Sequence, residues 1–154
     1  MLIAYNFTNS QVRSQLIEQK VFFPTQGQTD YQDLVKANAT QYAGQQVLTG
    51  SQAEIFANDI IAVDTLAISG GKTYSELSAV SLADPSNTGL ANQVELVFRR
   101  DTLRGLLLNA YAFGFIGLIV LYGSIWMFIA ALIMLVLTLL GIRHYRAADP
   151  EDVV

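Results

Sequence analysis

The sequence predicts a mostly α-helical protein: a small helical domain with a long C-terminal helix that enters the membrane. Three observations carry this. No charged residue occurs between Arg104 and Arg143, and a helix needs only about 20 apolar residues to cross a bilayer core. The first hundred residues repeat helix-starting and helix-stopping devices at short intervals. Alternating apolar and polar runs, the mark of strands, are scarce; "KVFFP" is the best strand candidate and it is short.

The N-terminal segment, residues 1–20, is helical by the spacing of Val12 and Leu16, with Pro24 as the stop. Its opening "MLIA" reads either as a frayed terminus or as the last turn of a longer apolar helix. Residues 21–105 form the small domain. A polar loop leads to a short helix from about Tyr31 to Tyr42. Next, "TGSQAEIFANDIIAVDTLAISGG" carries a capping box at Ser51 and Glu54. Its expected buried face is Phe56, Ile60, Val63 and Ala67, and Gly70-Gly71 ends it. "KTYSEL" repeats the box with Thr73 and Glu76. "DPSNTG" is a turn. A new helix starts near Leu90, lined on one side by Leu90, Val94, Val97 and Phe98, and runs toward the membrane.

Residues 106–142 are the apolar membrane segment, interrupted by Asn109, Ser124 and Thr138. Two layouts fit. In one, a single helix packs on the domain up to Phe115 and spans from about Ile116 to Ile142. In the other, a hairpin turns at Tyr122-Gly123-Ser124, with halves at the short limit of a span. The single helix is the expectation, because glycine is common inside membrane helices. Residues 143–154 are a short tail. Basic residues flank the run, Arg99, Arg100 and Arg104 before it and Arg143 and Arg146 after it, as membrane collars do. The pair that directly abuts the C-terminal end favours a cytoplasmic tail by its closeness, whereas the raw count, three basic residues before the run and two after it, favours the opposite orientation.

Composition narrows the chemistry. Cysteine is absent, which excludes disulfides, thiolate metal sites and cysteine nucleophiles. The net charge is −4 and no basic face or tail stands out, so nucleic acid is not an expected partner. The one histidine, His144, lies between two arginines beside the membrane segment, far from any serine or carboxylate of the domain. Neither a triad nor a metal cluster is expected. Asp59 and Asp64 lie five residues apart on one helix, off a common face. "SGGK" lacks the spacing of a phosphate loop. No catalytic residue, cofactor or metal ligand is assigned, and an enzyme is not expected. The expected partners are the lipid bilayer and another membrane protein or a second copy of the chain. The candidate site is a helix-packing face: Ala110, Gly114 and Gly117, small residues at helical spacing, with Asn109 as an interhelical hydrogen-bond donor.

Three stretches, "YNFTNSQVRSQLIEQKVFFP", "DIIAVDTLAISGGKTYSEL" and "LRGLLLNAYAFG", resemble a family of small uncharacterised actinobacterial membrane proteins. The resemblance covers much of residues 5–145. It implies two membrane helices around a small extracytoplasmic domain, with "MLIA" the remnant of the first, both termini cytoplasmic and residues 10–105 outside. Some members of that family carry the label aromatic ring-opening dioxygenase. Such enzymes hold iron through two histidines and a carboxylate, and a chain with one histidine does not supply that set. The function expected is a membrane-anchored extracytoplasmic domain with a structural or protein-interaction role. The alternative is a binding or sensor module for a small envelope molecule or lipid, with Tyr5, Tyr31, Tyr42 and Tyr74 lining a groove between the domain helices and the membrane-proximal helix.

Overall fold

The computed structural model describes residues 2–147. It is mostly helical. The helices are α1 (Leu2–Gln19), α2 (Tyr31–Lys36), α3 (Gly50–Ile55), α4 (Ala62–Ser69), α5 (Tyr74–Ala83) and α6 (Thr88–Ala147). A π-helical turn, Phe56–Ile61, joins α3 to α4, and a 3-10 turn, Thr40–Tyr42, follows α2. The spine is α6, against which α1, α3, the π turn, α4 and α5 all pack.

Helix α1 ends earlier than Pro24 would require. It stops at Gln19 because Lys20 turns into the left-handed region, at φ 51°. The freed carbonyls of Leu16 and Ile17 accept hydrogen bonds from Gln46 Nε2, at 3.4 and 2.9 Å. A side chain some thirty residues downstream thus caps the helix end, which would otherwise leave acceptors open. The "KVFFP" segment then runs antiparallel to residues 44–47. Phe23 N donates to Gln45 O at 2.9 Å and Val47 N donates to Val21 O at 2.9 Å. The pairing amounts to one bridge, Phe22 with Gln46. The expected helix from Tyr31 to Tyr42 is broken in the middle, where Asn38 adopts φ 52° and Ala39 N bonds back to Leu34 O at 3.0 Å.

The capping box of α3 lies two residues before the expected one. Thr49 is the cap: its Oγ1 accepts from Gln52 N at 3.2 Å, and Gln52 Oε1 accepts from Thr49 N at 3.1 Å. The sequence offers two overlapping frames, Thr49 with Gln52 and Ser51 with Glu54. The first puts Gly50 inside the first helical turn, where it meets the α6 backbone. The second would have used Glu54 as a capping carboxylate; here Glu54 is left over. The box of α5 does form as expected, Thr73 with Glu76. The hydrogen bonds from the Thr73 backbone and hydroxyl hold the Glu76 carboxyl below its ordinary value. Asp30 is shifted the other way, raised by burial and by the neighbouring Asp64 charge. Gly70, at φ 61°, ends α4 as a left-handed cap.

Burial along α3–α4 falls on Ala53, Ala57, Ile60, Ile61, Thr65 and Ser69. Only Ile60 of the expected face is among them. Phe56 is half-buried, while Val63 is 41% exposed and Ala67 is exposed. The reason is the π turn. Residues 53, 57, 61, 65 and 69 repeat every four positions, which drifts about 40° per turn from a 3.6-residue helix. A π turn carries an extra residue and takes up part of that drift. The two hydroxyls on the buried face disguise it. Thr65 Oγ1 donates to Ile61 O at 2.7 Å and Ser69 Oγ to Leu66 O at 3.3 Å, so both are satisfied within their own helix.

The core gathers Val12, Leu16, Phe23, Leu34, Val47, Ala53, Ala57, Ile60 and Ile61 around Leu107 and Ala110 of α6. Asn87 Oδ1 starts α6 by accepting from Leu90 N at 3.0 Å. The helix then continues through Tyr122-Gly123-Ser124 without a turn. Its buried residues are Val97, Leu107, Ala110 and Gly117.

Candidate functional site at the junction of α1, α3 and α6

Small residues decide how closely three helices meet. Gly50, at the first turn of α3, sits so near α6 that an added Cβ would lie 3.2 Å from both Ala110 O and Tyr111 Cα. Gly114 faces the same contact from α6, where a Cβ would lie 3.5 Å from Gly50 Cα. One turn further, a Cβ on Gly117 would lie 3.6 Å from Thr8 Cβ and 3.7 Å from Tyr5 Cδ2. Ala110, Gly114 and Gly117 are therefore brought together on one face, and the helices that approach it are the chain's own α1 and α3. Asn109 points away from that face and is exposed.

The two glycines of the closest contact differ in tolerance. A Cβ on Gly50 meets backbone, which cannot rotate aside. Gly50→Ala is expected to destabilise the domain by about 1–3 kcal/mol, the usual cost of overpacking. A Cβ on Gly114 makes an ordinary contact and gains helix propensity, about 1 kcal/mol for alanine over glycine. Gly114→Ala is expected to be neutral or mildly stabilising. Thermal unfolding in detergent reads both, and equal losses for the two variants would contradict this close approach.

Beside the contact lies a cavity of about 440 Å³, formed by α1, α3 and α6 and lined by Tyr5, Asn9, Glu54, Tyr111, Phe115 and Leu118 among others. The Tyr111 and Phe115 rings stand 6.0 Å apart, centre to centre, in a tilted arrangement. The Glu54 carboxylate has no salt bridge among the described residues. A second cavity, about 430 Å³, lies between α4, the start of α5 and α6, with Lys72, Tyr74, Asp101 and Arg104 on its walls.

The four tyrosines expected in one groove are dispersed. Tyr5 lines the first cavity and Tyr74 the second. Tyr42 stacks on Phe23 at 5.4 Å, and Tyr31 packs against the core. The basic residues ahead of the apolar run are also differently used. Arg100 pairs with Asp64 of α4, and Arg104 donates to Asn58 Oδ1 at 3.1 Å. They hold the domain to α6 rather than forming a free collar. Only Arg99 stays on the outside, paired along the helix with Glu95. Among the described residues no group of three His, Asp or Glu side chains converges on a metal-sized point.

The sequence reading singles out Ala110, Gly114 and Gly117 for packing with a separate helix and passes over Gly50, which meets Gly114 within the chain. The available signal was the T-G-S-Q frame, in which a glycine directly after a threonine cap starts a helix.

The fold and this junction define a class: a small helical domain packed on the first half of one long helix whose second half is apolar and bare. The most apolar 18-residue window of α6 has a mean hydropathy of 2.7, and none of it is buried. Compared with protein-family models, curated proteins and solved structures, the chain matches none.

Proposed function

We propose that the protein is a membrane-anchored extracytoplasmic domain with a structural or protein-interaction role. The observation that supports the anchor is the division of α6. Up to Gly117 it serves the domain; from Leu118 to Ile142 it carries no charge, and its large apolar side chains are mostly exposed. The buried residues of α6, Val97, Leu107, Ala110 and Gly117, all lie before that stretch. In water so much bare apolar surface is untenable for a monomer, and lipid is its natural solvent.

The polar surface of α1 supports a level for the membrane. Tyr5 and Thr8 pack beside Gly117, and Asn6, Asn9 and Ser10 around them are exposed. Unpaired amides are costly in hydrocarbon, so the apolar layer begins beyond Gly117. Residues 118–142 then span about 37 Å at 1.5 Å per residue, enough for a core of about 30 Å with tilt. Exposed Ile3, Phe7, Phe113, Phe115 and Ile116 ring this level, as residues at an interface do. Arg143 and Arg146 close the other end of the span, which favours a cytoplasmic tail and an extracytoplasmic domain.

The interaction role rests on the span's uncovered surface, since the small-residue face of the domain-proximal half is already filled by α1 and α3. A second reading, a binding module for a small molecule or lipid, is favoured by the cavity at Glu54. The test of the anchor is direct. Full-length protein mixed with liposomes is expected to float with them on a density gradient, and to aggregate when detergent is removed without lipid. A monodisperse monomer in plain buffer would overturn the reading.

A further inference from the structure

We propose that the cavity between α1, α3 and α6 binds the ammonium headgroup of an amine-bearing phospholipid, with Glu54 as its counter-ion and Tyr5, Tyr111 and Phe115 as its aromatic wall. This rests on the membrane-anchored reading above, which sets the depth of the cavity.

Four observations carry it. The first is charge. Glu54 is the carboxylate among the lining residues, and no Lys or Arg is among them. The basic residues on the helices that build the cavity lie outside its lining: Arg13 of α1 is exposed, Arg99 pairs with Glu95, Arg100 with Asp64 and Arg104 with Asn58, and Arg143, His144 and Arg146 lie at the far end of α6. An anion is therefore unfavoured and a cation favoured. The second is aromaticity. Ring faces attract ammonium groups through their quadrupoles, and aromatic walls are the recurring device for such ligands. The third is that Glu54 is unspent. The sequence offers it as a capping carboxylate, yet Thr49 and Gln52 form the cap, which leaves Glu54 on the cavity wall without an ion pair among the described residues. The fourth is depth. Gly114, Phe115 and Leu118 line the cavity, and the hydrocarbon begins just beyond Gly117. The cavity lies in the headgroup layer, where a lipid amine reaches it with its acyl chains still in the bilayer along the bare side of α6. A free amine would have to bind from solution, whereas a headgroup is tethered at the site.

The test uses the full-length protein in detergent, with phosphatidylethanolamine and phosphatidylglycerol added in equal amounts and retained lipid read by native mass spectrometry. The expected result is at least tenfold preferential retention of phosphatidylethanolamine, lost in Glu54→Gln. Wild-type protein with N-acetylated phosphatidylethanolamine, which has no positive charge, needs no variant and is expected to show no preference over phosphatidylglycerol. Equal retention of the two lipids, or undiminished retention of the acetylated one, overturns the proposal. So does unchanged preference in a Glu54→Gln protein of normal helicity. Soluble phosphoethanolamine that competes at the lipid's own concentration would overturn the assignment to a lipid. These outcomes are separable from failure of the anchor: a protein that does not float with liposomes refutes the anchor, while one that floats without headgroup preference refutes only this site.

Discussion

Lysine at three positions of the span, Phe128→Lys, Leu132→Lys and Leu135→Lys together, is expected to release the protein from membranes. Each lysine near the centre of a spanning helix costs about 2.5–3.5 kcal/mol, and each lost apolar residue adds roughly 0.5 kcal/mol. The sum, about 9–12 kcal/mol, exceeds what the remaining apolar residues of one span can offset. The three side chains are 72%, 54% and 56% exposed in the chain's own fold, so the domain loses no contact. Two readouts should therefore separate. Extraction by alkaline carbonate should move the variant from pellet to supernatant, while the domain's helicity and unfolding temperature stay where they were. A variant that remains in the pellet would mean that lipid is not the solvent of this helix. A variant that leaves the membrane and also loses its folded domain would mean that α6 residues past Gly117 hold the domain together, against their exposure.

The separation of those two readouts depends on how abruptly α6 changes role, and the sequence shows that only in part. The uncharged stretch from Gly105 to Ile142 is plain in the sequence, and so is the continuity of the helix, since a lone Gly123 does not make a turn. The boundary inside the stretch is not. Leu107, Ala110 and Gly117 are buried against the domain, yet nothing in their chemistry distinguishes them from the exposed apolar residues that follow. The information lies in α1, whose Tyr5 and Thr8 meet Gly117 in space while lying more than a hundred positions away in sequence. A similar gap hides the buried face of α4. Period-3.6 reading selects Val63 and Ala67 because they are apolar. Burial instead selects Thr65 and Ser69, because the π turn shifts the register and hydroxyls can satisfy themselves on the preceding turn. Local devices were the most legible. The Thr73–Glu76 box and the Gly70 cap are set by residues within one turn of each other, so no tertiary contact can move them far. The α3 box was ambiguous for a tertiary reason: choosing Thr49 over Ser51 depends on Gly50 meeting a helix sixty residues away.

Phe23 gives the largest single-residue effect expected in the domain, and its neighbour gives the control. The two phenylalanines of "KVFFP" look alike in sequence. In an extended segment successive side chains point to opposite sides, and the pairing of Val21 and Phe23 with residues 44–47 decides which side is inside. Phe23 is 2% exposed and Phe22 is 54% exposed. Phe23 stacks on Tyr42 at 5.4 Å and meets Phe56 edge-on at 5.4 Å and 70°. It thus ties the segment after α1, the 3-10 turn and the π turn into one core. Truncating it removes the apolar burial of a whole ring and both aromatic contacts, and leaves a cavity that Leu34 and Val47, themselves fully buried, have little freedom to fill. Phe23→Ala is expected to cost about 3–5 kcal/mol, which for a chain of this size lowers the unfolding temperature by roughly 2–4 °C per kcal/mol. Phe22→Ala is expected to stay within about 0.5 kcal/mol of wild type, as for exposed positions generally. Thermal unfolding of both variants in the same detergent decides the matter. If Phe22→Ala is the more damaging, the segment is paired one residue out of register and the core around Phe23 is wrong. If the two lose stability equally, neither side of the segment faces a packed interior.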